Sequence, residues 1–348
     1  TGARIVVHHK PAGIAVLVTP WNYPAAMGTR KLAPALAAGC PCIVKPASET
    51  PLTMLALMPL LEEAGVPKGL VNVLPSRQTG QLVDHLMHDP RVRVISFTGS
   101  TPVGRKLLHG AADQVLKPAM ELGGNAPLIV FDDADLDEAV KGAMLAKMRN
   151  LGEACTAANR FYVHEAVAED FARRMTEAMG ALKVGNGLEE GVDVGPLVNA
   201  DTRDKVHAFV EDAVAKGAKL RLGGQLPEGR GYYYPPTVLT DVPETADCVH
   251  DEIFGPVAAI QTFTDTEDVI RRANDTEYGL VAYVFSGDFR RGLQVSERLD
   301  YGMVGLNRGL VSDPAAPFGG TKQSGLGREG GHEGMHEFME TQYISAEW

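Results

Sequence analysis

The chain has 348 residues, 45% of them hydrophobic, and a formal net charge of −11. This is enough for a large core and two domains, and the acidic balance argues against nucleic acid or an anionic membrane as a partner. No apolar run approaches the roughly 20 residues of a membrane helix, and no signal peptide is visible. Four cysteines are too few for a disulfide scaffold and fit a reducing compartment, so we expect a cytoplasmic protein.

Short β-rich runs alternate with helical patterns along the chain, which predicts βαβ units, a parallel sheet and an α/β fold. In the first part, the predicted strands are 4–8, 13–18, 42–44, 70–74 and 93–97, with a turn at residues 10–12. The predicted helices there are one ending at Ala38, 51–64, 78–87 and one ending near Ala112. In the second part, we predict helices near 165–181, 201–216 and 288–299 and strands near 257–263, 280–286 and 303–306.

Two of the cysteines, Cys40 and Cys42, form a C-x-C pair. This spacing is too tight for the usual zinc ligands, and no nearby histidine or cysteine completes a set. We therefore interpret the pair as core packing and predict no metal site.

A third cysteine, Cys155, has a different setting. It lies among small and polar residues where the amphipathic pattern of a helix capped near Asp135 runs out. A substrate and backbone N–H donors can approach a thiol in such a turn, as nucleophilic catalysis requires. A small residue at a helix boundary is the structural alternative.

Two further stretches suggest binding chemistry. The loop at residues 97–104 lies between a strand and a helix start, where free N–H groups and the helix dipole favour a phosphate. The loop lacks the G-x-G-x-x-G spacing of dinucleotide-binding loops, so an ordinary βα turn is an equally good interpretation of it. Glu121 precedes the pair Gly123-Gly124, which permits a sharp turn or close backbone approach; a surface glutamate is the alternative.

Several motifs in order make the sequence resemble the aldehyde dehydrogenase family over essentially its whole length, and within it the NADP-dependent succinate-semialdehyde dehydrogenases. The motifs are residues 20–24 (PWNYP), 45–46 (KP), 97–100 (FTGS), 121–127 (ELGGNAP), 152–155 (GEAC), 158–160 (ANR), 252–256 (EIFGP), 317–320 (PFGG) and 324–330 (SGLGREG).

The resemblance implies a Rossmann-type cofactor domain and an α/β catalytic domain. We expect residues 1–121 to be part of the cofactor domain, with an oligomerisation hairpin near 4–18. Residues 122–318 would form the catalytic domain, and 319–348 would return to the cofactor domain and supply a C-terminal oligomerisation strand near 341–345. The family usually forms homodimers or homotetramers.

The resemblance makes Cys155 the nucleophile, which adds to an aldehyde to give a thiohemiacetal and then a thioester. It places Asn22 with the oxyanion, Glu121 as the general base, and Lys31 and Glu329 as a proton-relay pair behind that base.

The cofactor implied by the resemblance is NAD or NADP, with Lys45 on the adenosine ribose. NAD-preferring relatives often carry glutamate three positions further on, where it accepts from a 2′-hydroxyl and repels a 2′-phosphate. Ser48 is neutral there, so we expect NADP to be preferred. The other implied cofactor-binding residues are Trp21, Thr98, Gly99, Ser100, Gly104, Leu122, Glu252 and Phe254.

For the substrate, the resemblance implies an anionic semialdehyde whose carboxylate is held by Arg30, Arg149 and Ser312. A guanidinium suits a carboxylate because it donates two parallel hydrogen bonds. Tyr23 and Phe318 complete the substrate-binding set. Succinate semialdehyde is the expected substrate, although a surface charge remains the alternative for Arg30.

The sequence departs from the family pattern at three points. Glu153 stands where many relatives have glutamine, and an inward-facing carboxylate would raise the pKa of the Cys155 thiol. Ala157 replaces a second cysteine found in some relatives, so we expect no local disulfide switch. Relatives also carry a long N-terminal segment of the cofactor domain that this sequence does not include, so independent folding is an open question.

Three alternatives remain at this stage. One is another aldehyde dehydrogenase, such as a glutarate-semialdehyde or a CoA-acylating enzyme, although Glu121 speaks against CoA acylation. Another is a non-catalytic role on the same fold. The third is a truncated product that needs a partner to supply its missing segment. The sequence leaves open the natural semialdehyde, the NADP/NAD ratio and the number of subunits.

Overall fold

The computed structural model describes residues 2–347, which form two compact units. The first unit contains residues 2–122, 312–320 and 324–347, and the second contains residues 123–311 and 321–323. The chain therefore returns to the first unit at Ser312, earlier than the expected return at residue 319. No described helix is long and apolar enough to cross a membrane.

The first part of the chain alternates strands and helices as predicted. Its elements are β1 (Arg4–Pro11), β2 (Ile14–Val18), α1 (Pro24–Ala38), β3 (Cys42–Lys45), α2 (Pro51–Glu63), β4 (Val71–Val73), α3 (Thr79–Met87), β5 (Val92–Thr98), α4 (Thr101–Asp113) and β6 (Lys117–Glu121). Proline occupies the first turn of α1, α2 and α4, where its missing N–H costs no helical hydrogen bond.

The second unit follows. Its elements are β7 (Ala126–Val130), α5 (Leu136–Met148), a 3-10 turn (Arg149–Gly152), β8 (Ala158–His164), α6 (Glu165–Gly180), α7 (Ala200–Ala215), β9 (Lys219–Leu222), β10 (Thr237–Thr240), α8 (Asp247–His250), β11 (Val257–Phe263), α9 (Thr266–Asn274), β12 (Tyr278–Gly279), β13 (Val281–Phe285), α10 (Phe289–Arg298), β14 (Met303–Leu306) and β15 (Thr321–Lys322). The chain ends with β16 (Gly325–Leu326), α11 (Glu333–His336) and β17 (Met339–Ala346) in the first unit.

Each unit is built on one large sheet, which confirms the α/β prediction. In the first unit the strand order is β16-β6-β5-β2-β3-β4, parallel except for β16 against β6. In the second unit it is β14-β13-β7-β8-β11-β10-β9, parallel except for β9 against β10. Central strands such as β2 and β7 are almost entirely buried, as expected when helices cover both faces.

The predicted hairpin near residues 4–18 is wrong. β1 continues through Pro11 and pairs antiparallel with β17, with Arg4 opposite Ala346 and Pro11 opposite Met339. β2 lies instead between β3 and β5. The reason is burial, because the continuous apolar run of β2 needs two covered faces, whereas every residue of β1 is exposed.

Candidate active site

The nucleophile candidate in the second unit follows an unusual turn. α5 ends at Met148, and Asn150, Leu151 and Gly152 then take left-handed backbone conformations with φ of 52°, 61° and 75°. Such conformations are costly for non-glycine residues and cluster at functional sites. Of the four cysteines, Cys155 is the partly exposed one, while Cys40, Cys42 and Cys248 are buried.

The turn is held closely by its surroundings in the second unit. A Cβ on Gly152 would lie 2.3 Å from the Gly255 carbonyl oxygen, and one on Gly124 would lie 2.5 Å from the Cys155 carbonyl oxygen. The two glycines therefore let backbone approach backbone around the cysteine. Arg149 donates to Thr156 Oγ1 at 3.2 Å, so both ends of the turn are connected by a side-chain hydrogen bond.

Glu153, the first departure from the family pattern, faces inward. Its side chain is buried, and Oε1 accepts the backbone N–H of Val198 at 3.1 Å. Burial raises the pKa of Glu153 to about 7, opposed by the Val198 hydrogen bond. The carboxyl therefore titrates close to neutral pH, two residues before the nucleophile.

The base candidate lies in the first unit. Glu121 ends β6 and is buried, and a Cβ on Gly319 would lie 2.9 Å from its Oε1. Burial and the negative charge of Glu329 raise the pKa of Glu121 well above its usual range, while Lys31, Arg328 and Arg30 oppose the shift. A buried carboxyl of raised pKa suits a general base that must hold a proton transiently.

The structure also brings the predicted relay pair together within this unit. Lys31 Nζ lies 2.5 Å from Glu329 Oε1 and donates to Ser96 Oγ at 3.1 Å. All three side chains are buried. Oε2 of Glu121 and Oε2 of Glu329 have no hydrogen-bond partner among residues 2–347.

The residues predicted to bind the substrate carboxylate include a group beside the predicted relay pair. Arg30 on α1 donates from Nη2 to Ser312 Oγ at 2.8 Å and stacks over the Phe318 ring, with 4.4 Å from Cζ to the ring centroid. Its Nη1 is buried and has no partner within the described part of the chain. These residues line a cavity of about 430 Å³ together with Ala26, Pro34 and Gly330.

The residues expected to bind the cofactor are divided between the units. In the first unit, Trp21 is half-buried between β2 and α1. Its neighbours Asn22 and Tyr23, expected at the oxyanion and the substrate, are also half-buried, and Tyr23 precedes the first helical turn. Lys45 ends β3, and burial lowers its pKa against the opposing charge of Glu49.

The loop before α4 fits an anionic cofactor such as a dinucleotide. Thr98 Oγ1 is buried with no partner among the described residues, and Ser100 precedes α4 without capping it. An unused hydroxyl close to the positive end of a helix dipole is compatible with a bound phosphate group. A Cβ on Gly104 would lie 2.4 Å from Leu122 Cδ2, and one on Gly99 would lie 2.4 Å from Phe97 Cζ.

Two of the residues expected to bind the cofactor lie in the second unit. Glu252 accepts the Gly124 N–H at 3.1 Å, and burial raises the pKa of Glu252 to about 7. Phe254 is half-buried with a φ of 56°, a strained conformation for a bulky residue. The environment of both residues favours a functional role over a purely structural one.

Some contributors escaped the sequence analysis. Ser96 holds Lys31, Arg328 acts electrostatically on Glu121, and Thr156 accepts from Arg149. Ser96 offered a signal in the sequence, because it is a small polar residue within the apolar run of β5. No group of three or more His, Cys, Asp or Glu residues within 2–347 could hold a metal ion.

The chain is similar to known proteins over almost its whole length. The model of the aldehyde dehydrogenase family matches residues 1–344. A succinate-semialdehyde dehydrogenase of Paenarthrobacter nicotinovorans is 55% identical over 98% of this chain and 76% of the relative. A glutarate-semialdehyde dehydrogenase of Pseudomonas putida is 49% identical over 98% of this chain and 70% of the relative.

A solved structure gives the same answer for the fold. The crystal structure of an NADP-dependent enzyme of Escherichia coli superposes with a TM-score of 0.98 at 47% identity, covering 100% of this chain and 72% of that one. The resemblance deduced from the motifs and the fold that it implied are thus confirmed. The chain belongs to the aldehyde dehydrogenase family.

Proposed function

We propose that this chain oxidises succinate semialdehyde to succinate and prefers NADP. The observation that carries the choice of substrate is the guanidinium of Arg30, which is fixed by Ser312 and has a buried N–H group to spare. A carboxylate is the natural partner for such a group, because a charge-assisted hydrogen bond to it satisfies the unused donor. The name of the relative from Paenarthrobacter nicotinovorans supports the same substrate.

Roles follow for the protein's own residues. The Cys155 sulfur bonds to the aldehyde carbon, and the Asn22 amide stabilises the oxyanion, a kind of contact worth roughly 10²–10³ in rate. A nicotinamide cofactor, when bound, would supply the acceptor for the hydride that leaves the thiohemiacetal carbon as the thioester forms. Glu121 then accepts a proton from the water that bonds to the thioester carbon, while the carbon–sulfur bond breaks and the thiolate is released. Lys31 and Glu329 carry that proton away from Glu121.

The preference for NADP rests on Ser48. Its side chain is exposed at the end of the segment after β3 and donates to the Ser76 carbonyl oxygen at 3.1 Å. A neutral hydroxyl does not repel a 2′-phosphate as a glutamate would. The E. coli structure of similar fold is that of an NADP-dependent enzyme, which supports the same preference.

The experiment that tests this function compares initial rates with succinate semialdehyde and propionaldehyde, using NADP and NAD side by side. We expect turnover that favours NADP and the charged substrate. Arg149→Ala should then lose far more rate on succinate semialdehyde than on propionaldehyde, whereas Thr156→Val, which removes the hydroxyl partner of Arg149 but keeps its charge, should lose less. An equal loss on both aldehydes in Arg149→Ala would rule out the carboxylate assignment.

Glutarate semialdehyde is the second candidate, because a relative at 49% identity carries that name. The two substrates share a carboxylate and differ by one methylene, which is worth roughly 1–3 kcal/mol in a fitted pocket. Comparing kcat/KM for the four-carbon and five-carbon semialdehydes decides between them.

We also propose that the protein forms a homodimer or homotetramer through the sheet of β1 and β17. This two-stranded sheet exposes apolar side chains, with Ile5 67% and Tyr343 70% exposed. Contiguous exposed apolar surface on a sheet is typical of a self-association site. Light scattering of the protein and of the Ile5→Lys/Tyr343→Lys double variant tests this, and an unchanged mass would contradict it.

A further inference from the structure

One guanidinium in the first unit serves two neighbours. Arg30 Nη2 donates to Ser312 Oγ at 2.8 Å, on the side of the cavity where the proposed substrate carboxylate binds. Arg30 Nε lies 4.0 Å from Glu329 Oε2, on the side of the relay pair. Arg30 therefore connects the anion-binding cavity to the proton relay without an intervening residue.

Glu329 is placed to respond to Arg30. Its Oε1 is engaged by Lys31 Nζ at 2.5 Å, whereas its buried Oε2 has no hydrogen bond within the described residues and faces Arg30. The charges that act on Glu121 are those of Glu329, Lys31, Arg328 and Arg30. In a buried cluster, changing one of these charges changes the proton affinity of the others, because solvent screening is weak.

A bound carboxylate would add a negative charge directly against Arg30. It would offset part of the positive charge that Glu329 and Glu121 now experience. Glu121 would then hold a proton more tightly and would be ionised only at higher pH.

We propose that Arg30 makes the hydrolytic step sensitive to the charge of the bound acyl group, so that an anion at Arg30 makes Glu121 harder to deprotonate. This inference rests on the proposed function for the location of the carboxylate.

The step concerned is attack of water on the Cys155 thioester. A bond forms from the water oxygen to carbon, the carbon–sulfur bond breaks, one water proton goes to Glu121, and the thiolate is regenerated. The proton affinity of Glu121 therefore differs between an anionic acyl group and an uncharged one.

The test uses the hydrolysis of 4-nitrophenyl acetate, which needs the nucleophile and the base but neither aldehyde nor cofactor. Its rate is measured from about pH 5.5 to about pH 9 with and without propionate, at constant ionic strength adjusted with chloride. We expect propionate to move the acid limb of the profile to higher pH by about half a unit, a roughly threefold loss of rate on that limb. Propionate binding is checked independently by its effect on the thermal melt.

Variants separate the coupling from simpler effects. In Arg30→Gln, the acid limb of the pH profile should lie at higher pH than in the wild type even without propionate, and propionate should not move it further. In Arg30→Lys, which keeps the charge, the acid limb should lie at the same pH as in the wild type. The matched control is Arg91→Gln, which removes the same charge from an exposed pair with Asp89 and should behave like the wild type. If Arg30→Gln fails to melt cooperatively, the effect of propionate on the acid limb of the wild type and of Arg30→Lys still tests the coupling.

Two outcomes would overturn the inference: an unmoved acid limb in the wild type with propionate present, or an equal shift in Arg30→Gln. Failure of the proposed function is distinguishable. If the enzyme does not oxidise succinate semialdehyde but propionate still moves the acid limb of its pH profile, the proposed substrate is wrong and the coupling holds. If the enzyme oxidises succinate semialdehyde but propionate does not move the acid limb, the proposed substrate holds and the coupling is wrong.

Discussion

Arg30 and Ser312 are 282 residues apart in the sequence, and the first unit brings the Arg30 Nη2 to 2.8 Å from the Ser312 Oγ. The hydroxyl accepts a hydrogen bond from the guanidinium, and this bond fixes the orientation of the guanidinium group. Because Arg30 Nη1 is left buried without a partner among the described residues, we expect the pair to receive an anion.

Ser312→Ala should therefore weaken carboxylate binding while keeping the charge of Arg30. A hydrogen bond to a charged group is worth about 1.5–3 kcal/mol, so we expect KM for succinate semialdehyde to rise by roughly tenfold or more. The KM for propionaldehyde, which has no carboxylate, should change less than about twofold. Steady-state kinetics with the two aldehydes measure this, and a parallel rise in both values would contradict the assignment.

Cys155→Ala should abolish dehydrogenase activity, with a loss of at least about 10³-fold, because no other side chain can form the thioester. Cys248→Ala is the matched control. Burial raises the pKa of Cys248 to about 12, so that thiol is inert. Mass spectrometry after brief iodoacetamide treatment should find Cys155 as the modified residue. Rapid labelling of Cys248 in the folded protein would show that burial does not protect it.

Glu121 should give turnover a strong pH dependence. Burial and the charge of Glu329 raise the pKa of Glu121, and a general base works only when ionised, so activity should rise with pH through that raised value. Glu121→Gln should lose both the acid limb and roughly 10²–10⁴ in hydrolytic rate. A variant that kept the limb would assign it to another group.

The same shift affects stability, with a definite sign. The folded state binds the Glu121 proton more tightly than the unfolded chain, so its contribution to stability is full below the unfolded pKa and is lost as pH rises through the folded pKa. Glu121→Gln cannot ionise. Its Tm should therefore fall less than that of the wild type between about pH 6 and about pH 9, as calorimetry would show.

Ser48→Glu should shift the cofactor preference towards NAD. The new carboxylate would repel a 2′-phosphate and accept from a 2′-hydroxyl, so the ratio of kcat/KM for NADP over NAD should fall by roughly tenfold or more. Ser48→Ala, which removes the hydroxyl without adding charge, should lower the ratio less. An unchanged ratio in Ser48→Glu would show that this position does not face the ribose.

Gly152→Ala should destabilise the second unit. The residue has a φ of +75°, and an added Cβ would lie 2.3 Å from the Gly255 carbonyl oxygen. The left-handed backbone alone costs about 1–2 kcal/mol, and the contact adds to it. Gly187→Ala is the control, because nothing lies within 4 Å of its Cβ position. Denaturant melts should separate the two variants, and equal stability would mean that the turn can relax.

The motifs identified the family without the structure, and through the family they predicted the site residues. Motifs are informative because the requirements they reflect are local in the sequence. A nucleophile needs small neighbours, and a phosphate-binding loop needs glycine before a helix. Helices and parallel strands were also predictable where the run of apolar residues was long, as in β2 and β5. The strand that ends in Glu121, β6, was missed, because its sequence Lys-Pro-Ala-Met-Glu has neither alternation nor a long apolar run.

By itself, the sequence determined the order of the motifs, the alternation of strands and helices, and the family, from which the nucleophile and base are predicted. Only the tertiary structure decided that β1 pairs with β17 rather than β2, that Glu153 faces inward, and that Arg30 lies between Ser312 and Glu329. The physical reason is range. Periodicity along a chain records which face of an element is buried, whereas a carboxyl's proton affinity or a guanidinium's partner depends on residues hundreds of positions away that packing brings within a few ångströms.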